Sequence, residues 1–160
     1  MRSTVVVGVS PSLAGLQALR HAVDVARERD ATLHAVRVWL FRPMWRDVTA
    51  QFERRVHAAE AKLLVPYTFE AAMGGLPRGV RIEQVVLEGM TGQSLVEHAG
   101  AEADLLVVGG DRRRHLFGPG PVTRYAVRRA HCPVVVVPPP ALAQAQPVDA
   151  LLRDLSRDLG

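Results

Sequence analysis

The stretch that decides the fold runs from Asp104-Leu-Leu-Val-Val-Gly-Gly110 to Ala130-His-Cys-Pro-Val-Val-Val-Val137. Its two short apolar runs, which are rich in β-branched residues, are typical of buried strands. Between them lie a glycine-bearing turn, a basic loop and a segment after Gly120-Pro121 that predicts a short helix. In a parallel α/β sheet such a turn lies at the carboxyl edge of the strands, which is where ligands bind.

The rest of the chain repeats this alternation of strand and helix. Strands are predicted at 4–9, 31–39, 81–87, 105–108 and 134–137, with helices at 13–29, 43–74, 91–101 and 121–130. The pattern predicts an α/β fold: a single doubly wound, five-stranded parallel sheet of Rossmann-like type, with helices on both faces. We expect the strand order 3-2-1-4-5, which leaves the last strand at an edge of the sheet.

The helix ends carry their own signals. Ser12 is a suitable N-cap for the first helix, and Thr91 for the third. In the long second helix an apolar face is predicted from Phe52, Val56, Ala59 and Leu63. Pro66 lies inside this pattern, so the helix must either kink there or end near Val65.

The C-terminal part of the chain is expected to leave the sheet. Pro138-Pro-Pro140 lacks the N–H groups that a central strand needs. We therefore assign 1–140 to one domain and 141–160 to a linker with an amphipathic helix. Four leucines at 151, 152, 155 and 159 give that helix its apolar face, and a frayed tail is the alternative.

Length and composition describe an ordinary globular chain. It has 160 residues, of which 48% are hydrophobic and 22% charged. No apolar run reaches the roughly 18 residues that a membrane-spanning helix needs. The N-terminus also lacks the pattern of a signal peptide. We therefore expect no membrane association and a cytoplasmic location.

The net charge of +4 raises the question of nucleic acid. The arginines cluster at Arg112–Arg114 and at Arg124, Arg128 and Arg129, and aromatic residues are few, with Tyr125 alone lying within either cluster. Because single-strand binding relies on stacking platforms, the pattern argues against nucleic acid. It leaves two alternatives for Arg112–Arg114, namely a solvated loop or a site for an anionic ligand.

Motifs for catalysis or metal binding are missing from the sequence. There is no P-loop, no G-x-G-x-x-G after the first strand and no G-x-S-x-G. The histidines lack metal-ligand spacing, and His98 has only Glu97 and Glu102 as sequence neighbours. The lone Cys132 is interpreted as a small buried residue. We therefore expect neither an enzyme nor a metal site.

The shared order of these motifs resembles that of universal stress proteins, over about residues 3–138. In that family a strand ends in Gly, and the pattern G-x2-G-x9-G-[S/T], a helix, Cys-Pro and a run of valines follow. Gly109, Gly120 and Cys132-Pro133 match in place. The resemblance implies a regulatory role in the stress response and a site for an adenine nucleotide such as ATP.

The resemblance also implies which positions would hold that nucleotide. The family's acidic residue after the first strand corresponds to Ser10, and the backbone position that meets adenine corresponds to Val38. The phosphate-binding loop and helix start correspond to Gly109, Arg112, Gly120 and Thr123.

Three of the matched positions depart from the family pattern. Ser10 loses the acidic charge, Arg112 replaces the second glycine, and Pro121 replaces the Ser or Thr after the last glycine. Pro121 removes a backbone donor from the helix start where phosphate would bind. Two functions therefore stay open: a regulatory module with weak or no ATP binding, and an adenine-nucleotide-binding protein with slow or no hydrolysis.

The edge position of the last strand suggests how the protein assembles. Its apolar row, Val134–Val137, offers unpaired backbone groups, and family members commonly dimerise through this strand. We therefore expect a homodimer formed through Val134–Val137.

Overall fold

A computed structural model of the chain describes residues 3–42, 49–110 and 119–141. The strands are β1 (Thr4–Gly8), β2 (Thr32–Trp39), β3 (Arg81–Glu88), β4 (Leu105–Gly109) and β5 (Val134–Val137). The helices are α1 (Leu13–Glu28), α2 (Thr49–Met73), α3 (Thr91–Ala99) and α4 (Pro121–Arg129). All strand pairs are parallel, and the sheet order is β3-β2-β1-β4-β5. The predicted fold class and strand order are confirmed.

The sheet separates two hydrophobic cores. Val5 and Val7 of β1 pack with α1 and α2 on one face, whereas Val6 packs with α3 and α4 on the other. In β4, Val107 and Val108 divide between the two cores in the same way. Side chains alternate along a strand, so a strand covered on both faces must be apolar at every position. This explains the unbroken valine and leucine runs of the two central strands.

The long helix α2 turns a different face to the core from the one the sequence predicts. Phe52 and Leu63 are each 70% exposed, while Val65 and Phe69 are fully buried. The helix also continues through Pro66 to Met73, so the alternative that it ends near Val65 is wrong. Pro66 is exposed, which lets water bond the carbonyl group that the missing N–H leaves free.

The predicted N-cap residue is confirmed for α1 and wrong for α3. Ser12 caps α1, since its Oγ accepts a hydrogen bond from the N–H of Gly15 at 3.1 Å. Thr91 does not cap α3: it is the first helical residue, and Met90 is the N-cap with no side-chain hydrogen bond. The loop after β3 ends one residue before the threonine and offers no polar side chain at that position.

The first turn of α1 lies very close to the ends of β1 and β4. A Cβ on Gly109 would lie 2.9 Å from the carbonyl carbon of Ala14 and from the backbone nitrogen of Gly15. A Cβ on Gly15 would lie 2.3 Å from the carbonyl oxygen of Ser10. Because the atoms in the way belong to backbone, neither position can hold a larger residue without moving the helix.

Residues 142–160, and with them the predicted C-terminal helix, lie outside the described part of the chain.

Cys132 is half-buried rather than fully buried, and burial raises the pKa of its thiol. None of the helices in the described ranges is long and apolar enough to cross a membrane.

Replacing Gly109 with Ala should destabilise the fold by about 1–3 kcal/mol, the usual cost of overpacking, because backbone of α1 blocks the new methyl group. Gly8→Ala is the matched control. It adds the same methyl group at the end of β1, but there the closest atom, at 3.0 Å, is Cδ1 of the flexible Leu95 side chain. Urea unfolding followed by circular dichroism measures both variants. An equal loss of stability in the two would contradict this account.

Candidate nucleotide-binding cleft

A cleft of about 510 Å³ opens at the carboxyl edge of the sheet. The neighbouring central strands β1 and β4 are followed in the chain by β2 and β5, which lie on opposite sides of them in the sheet. The loops after β1 and β4 therefore diverge, and the cleft lies between them. Its walls are formed by the first turns of three helices, α1, α3 and α4, and by the end of β2. A concave site of this volume suits a small organic ligand.

The structure brings most of the sequence-predicted site residues together. The cleft is lined by Ser10, Val38, Gly109, Gly120 and Thr123. The side chains of Val38 and Thr123 are buried in its walls, at 6% and 4% exposure. Arg112 and the rest of the Arg112–Arg114 cluster lie outside the described residues, so an anion site there stays a prediction.

The Ser10 hydroxyl is already engaged in local hydrogen bonds. It accepts a hydrogen bond from the backbone N–H of Ser12 at 3.3 Å and donates to Oγ of Ser12 at 3.2 Å. Ser12 in turn caps α1. Ser10 therefore supports the start of the helix and brings no charge to the cleft.

The start of α4 offers fewer donors than a usual phosphate site. Gly120 is the N-cap, Pro121 begins the helix, and the Gly120 carbonyl accepts the N–H of Arg124 at 3.0 Å. The first N–H groups of a helix have no partner inside it and can bind an anion. Pro121 has no N–H, so within the first turn these donors come from Val122 and Thr123.

The sequence matches the model of the universal stress protein family over residues 1–138. The chain belongs to this family. A universal stress protein of Methanocaldococcus jannaschii is 29% identical over 147 residues, which cover 85% of this chain and 82% of the relative.

Solved structures of universal stress proteins share the same fold. The protein UspA of Lactobacillus plantarum superposes with a TM-score of 0.68 at 23% identity, covering 86% of this chain and 99% of its own. A universal stress protein in complex with cAMP gives a TM-score of 0.57 at 25% identity, covering 87% and 98%.

Arg37 is a charged residue of this universal stress protein's cleft that the motifs of the sequence did not single out. It lies in β2 between Val36 and Val38 and lines the cleft. Its Nη1 donates to the carbonyl oxygen of Val9 at 3.2 Å, while its Nε is buried and has no hydrogen-bond partner among the residues that the structure describes. Burial lowers the pKa of the guanidinium. The sequence signal for Arg37 is an arginine between two valines near the end of β2.

A second polar group, which sequence reasoning also missed, joins β2, β3 and α3. Nδ1 of His34 lies 3.1 Å from Nε2 of His98, and Nε2 of His34 lies 3.4 Å from the carboxylate of Glu83. The neighbour that matters for His98 is therefore His34, not Glu97 or Glu102. These residues are far apart in sequence, so no spacing could reveal the cluster. The described residues contain no group of three side chains suited to a metal ion.

The hydrogen bond between the two imidazole rings depends on their protonation. A hydrogen bond between ring nitrogens needs one donor and one acceptor, so the contact breaks when both rings are protonated. Burial lowers the pKa of His98, the nearby His34 lowers it further, and Glu83 raises it. Because the folded-state pKa lies below the ordinary value of 6.5, the neutral form of His98 is favoured by folding.

The stability that this cluster contributes should be present above about pH 6.5 and decline as the pH falls toward the lower folded-state pKa of His98. His98→Gln should therefore flatten the pH dependence of the unfolding free energy between about pH 7 and pH 5. His21→Gln on the exposed side of α1 is the control and should retain the wild-type slope. Denaturant titrations at several pH values measure this. A slope for His98→Gln as steep as that of wild type would contradict the prediction.

Proposed function

We propose that this universal stress protein is a regulatory module of the stress response that acts by binding rather than by catalysis. In this proposal its cleft takes an adenine mononucleotide and binds ATP weakly. The observation that carries it is Pro121 at the start of α4, because it removes a backbone donor where polyphosphate would need several. We also place the protein in the cytoplasm, since the single Cys132 leaves the fold independent of disulfides.

The chemistry of the cleft supports binding over hydrolysis. Among the described residues that line it, Arg37 is the only charged residue, and none is histidine, cysteine, aspartate or glutamate. A hydrolase needs a group that activates water, and Mg²⁺–ATP needs oxygen ligands for the metal. The described lining offers neither a general base nor a carboxylate.

An adenine ring is the ligand part that suits the walls best. Val36, Val38, Leu95 and Val108 provide apolar surface next to the backbone of β2. A flat heteroaromatic base can pack against such side chains while its edge bonds to backbone groups. The complex of the structural relative with cAMP supports an adenine mononucleotide as the ligand class.

Calorimetric titration of nucleotide-free protein should give an ATP dissociation constant in the high micromolar range or weaker, which is less than about 6 kcal/mol of binding free energy. Pro121→Ser restores an amide donor and a hydroxyl, so ATP affinity should rise at least about tenfold, given about 1.5–3 kcal/mol per charged hydrogen bond. Pro119→Ser, just outside the helix, is the control and should bind like wild type. A low-micromolar wild-type constant for ATP would instead favour the alternative of an ATP-binding protein.

We also infer a homodimer formed through β5. This strand lies at the edge of the sheet, and Val136 is 38% exposed. The N–H groups of Leu106 in β4 and of Gly110, just after it, donate to the carbonyl oxygens of Pro133 and Val137. By the two-residue period of a strand, Val135 therefore directs its backbone groups toward β4, whereas Val136 directs its own toward the free edge. Pairing of that edge with a second copy would produce a closed twofold dimer.

Val136→Pro should convert the dimer to a monomer at tens of micromolar, because it deletes a donor on the free edge. Stability should change little within each subunit. Val135→Pro is the comparison variant, and it should lower the unfolding free energy by about 3 kcal/mol or more because it breaks the bond to β4. Light scattering and thermal unfolding measure the two effects. A wild-type monomer under these conditions would rule out the assembly.

A further inference from the structure

The helix α2 is apolar on two opposite faces. One face packs against β2, β3 and α1 and buries Val65 and Phe69. Leu63 is only two residues from Val65, but this places it about 200° around the helix, on the outer face. That outer face carries four apolar residues, which we call the α2 stripe: Phe52, Val56, Ala59 and Leu63. Phe52 and Leu63 are each 70% exposed, and Val56 is 40% exposed.

A contiguous apolar row along one exposed helix face is typical of a contact surface. A helix that is apolar on two faces normally buries both of them. In the described structure the α2 stripe stays exposed, so its occupant comes from outside the described residues.

The segment 148–159, which we call the leucine segment, has an apolar row with the same spacing as the α2 stripe. Both rows advance in steps of four, three and four residues; in the leucine segment these residues are Val148, Leu152, Leu155 and Leu159. On a helix each row forms one face about 17 Å long, and Leu151 widens the face of the leucine segment. Because the steps read the same in both directions, the two rows match in four layers whether the helices run parallel or antiparallel.

The chain leaves the sheet at a point from which this segment can reach α2. β5 ends at Val137 on the carboxyl edge of the sheet, and α2 begins near the same edge, since Arg54 bonds to Glu88 at the end of β3. From β5 to β2 is three strand spacings, or about 14 Å, and a helix layer adds about 10–12 Å. The linking residues 138–147 span up to about 33 Å. The leucine segment is therefore within reach of the α2 stripe of its own chain.

The small size of the α2 stripe favours an occupant from the same chain over a second copy. A row about 17 Å long on a helix about 10 Å wide is a strip of about 170 Å² in projection. Stable complexes of separate molecules bury about 800 Å² on each partner. A segment tethered by a short linker has an effective concentration in the millimolar range, so a small contact is enough to hold it.

We propose that the leucine segment forms a helix that docks on the α2 stripe of its own chain. Docking buries the two apolar rows against each other, and the small Ala59 lets the helices approach closely. An isolated helix of this length is marginal in water, so the segment becomes helical as it docks. The contact lies on the outside of α2 and does not depend on what the cleft binds.

Disulfide formation in the whole 160-residue chain tests this contact. In a Cys132→Ser background, Ala59→Cys is combined with Leu152→Cys or with Leu155→Cys, which replace the residues opposite Ala59 in the antiparallel and the parallel orientation. Ala58→Cys is the control partner, because it moves the thiol by one residue and about 100° around α2. Under mild oxidation at least one Ala59 pair should close an intramolecular disulfide at least about tenfold faster than its Ala58 counterpart.

Three results of this experiment would overturn the proposal. Equal rates for the Ala59 and Ala58 pairs would show that the leucine segment does not dock on the α2 stripe. A disulfide that joins two chains, seen on a non-reducing gel, would show that the segment docks on a second copy. Faster covalent dimerisation of Ala59→Cys alone than of Ala58→Cys alone would show that α2 of a second copy occupies the stripe.

Thermal unfolding gives an independent readout. Leu63→Glu and Leu155→Glu should each lower the melting temperature by about 4 °C or more, because each puts a charge into the apolar contact. The double variant should lose less than the sum, since either change alone undocks the segment. Leu76→Glu is the control: Leu76 is 55% exposed in the loop before β3, and its loss should shift melting by less than about 2 °C. Single shifts no larger than this control, or shifts that add in the double variant, would contradict docking.

Discussion

The contact between the first turn of α1 and the ends of β1 and β4 is the constraint on which the site depends. Gly15 and Gly109 meet there without side chains, and a Cβ on either would overlap backbone. This close approach brings the start of α1 down to the edge of the sheet, where the loops after the two central strands separate. The cleft exists because these loops diverge while the helix stays close.

The same region shows that one glycine can serve packing and binding together. In the family pattern Gly109 belongs to a phosphate-binding loop, and here it also permits the contact with Ala14 and Gly15. A glycine at this position is required by the fold whether or not a phosphate ever binds. The motif therefore identifies the family securely, but it says less about the ligand than the residues around it.

The residues around Gly109 give the cleft a distribution of charge that differs from the family pattern. The position where the family pattern has an acidic side chain holds Ser10, whose hydroxyl is hydrogen-bonded to the N-cap Ser12, and Arg37 lies on the neighbouring strand. At the far end Pro121 weakens the helix start as an anion site. These residues differ from the family pattern in charge and in backbone donors, which is the physical basis for the weak ATP binding that we propose.

The sequence alone determined the fold class, the strand order and the position of the cleft. The apolar run Leu105–Val108 predicts a buried strand and is buried in the structure, and right-handed crossovers restrict how parallel strands can be connected. The similar run Val134–Val137 is only partly buried, because it lies at the edge of the sheet. The tertiary structure decided which of two equally apolar faces of a helix becomes buried. Phe52 and Leu63 form as good an apolar face as Val65 and Phe69, and only packing against β2, β3 and α1 selects the second. The partners of Arg37 and His34 likewise come from distant parts of the chain, where periodicity carries no information.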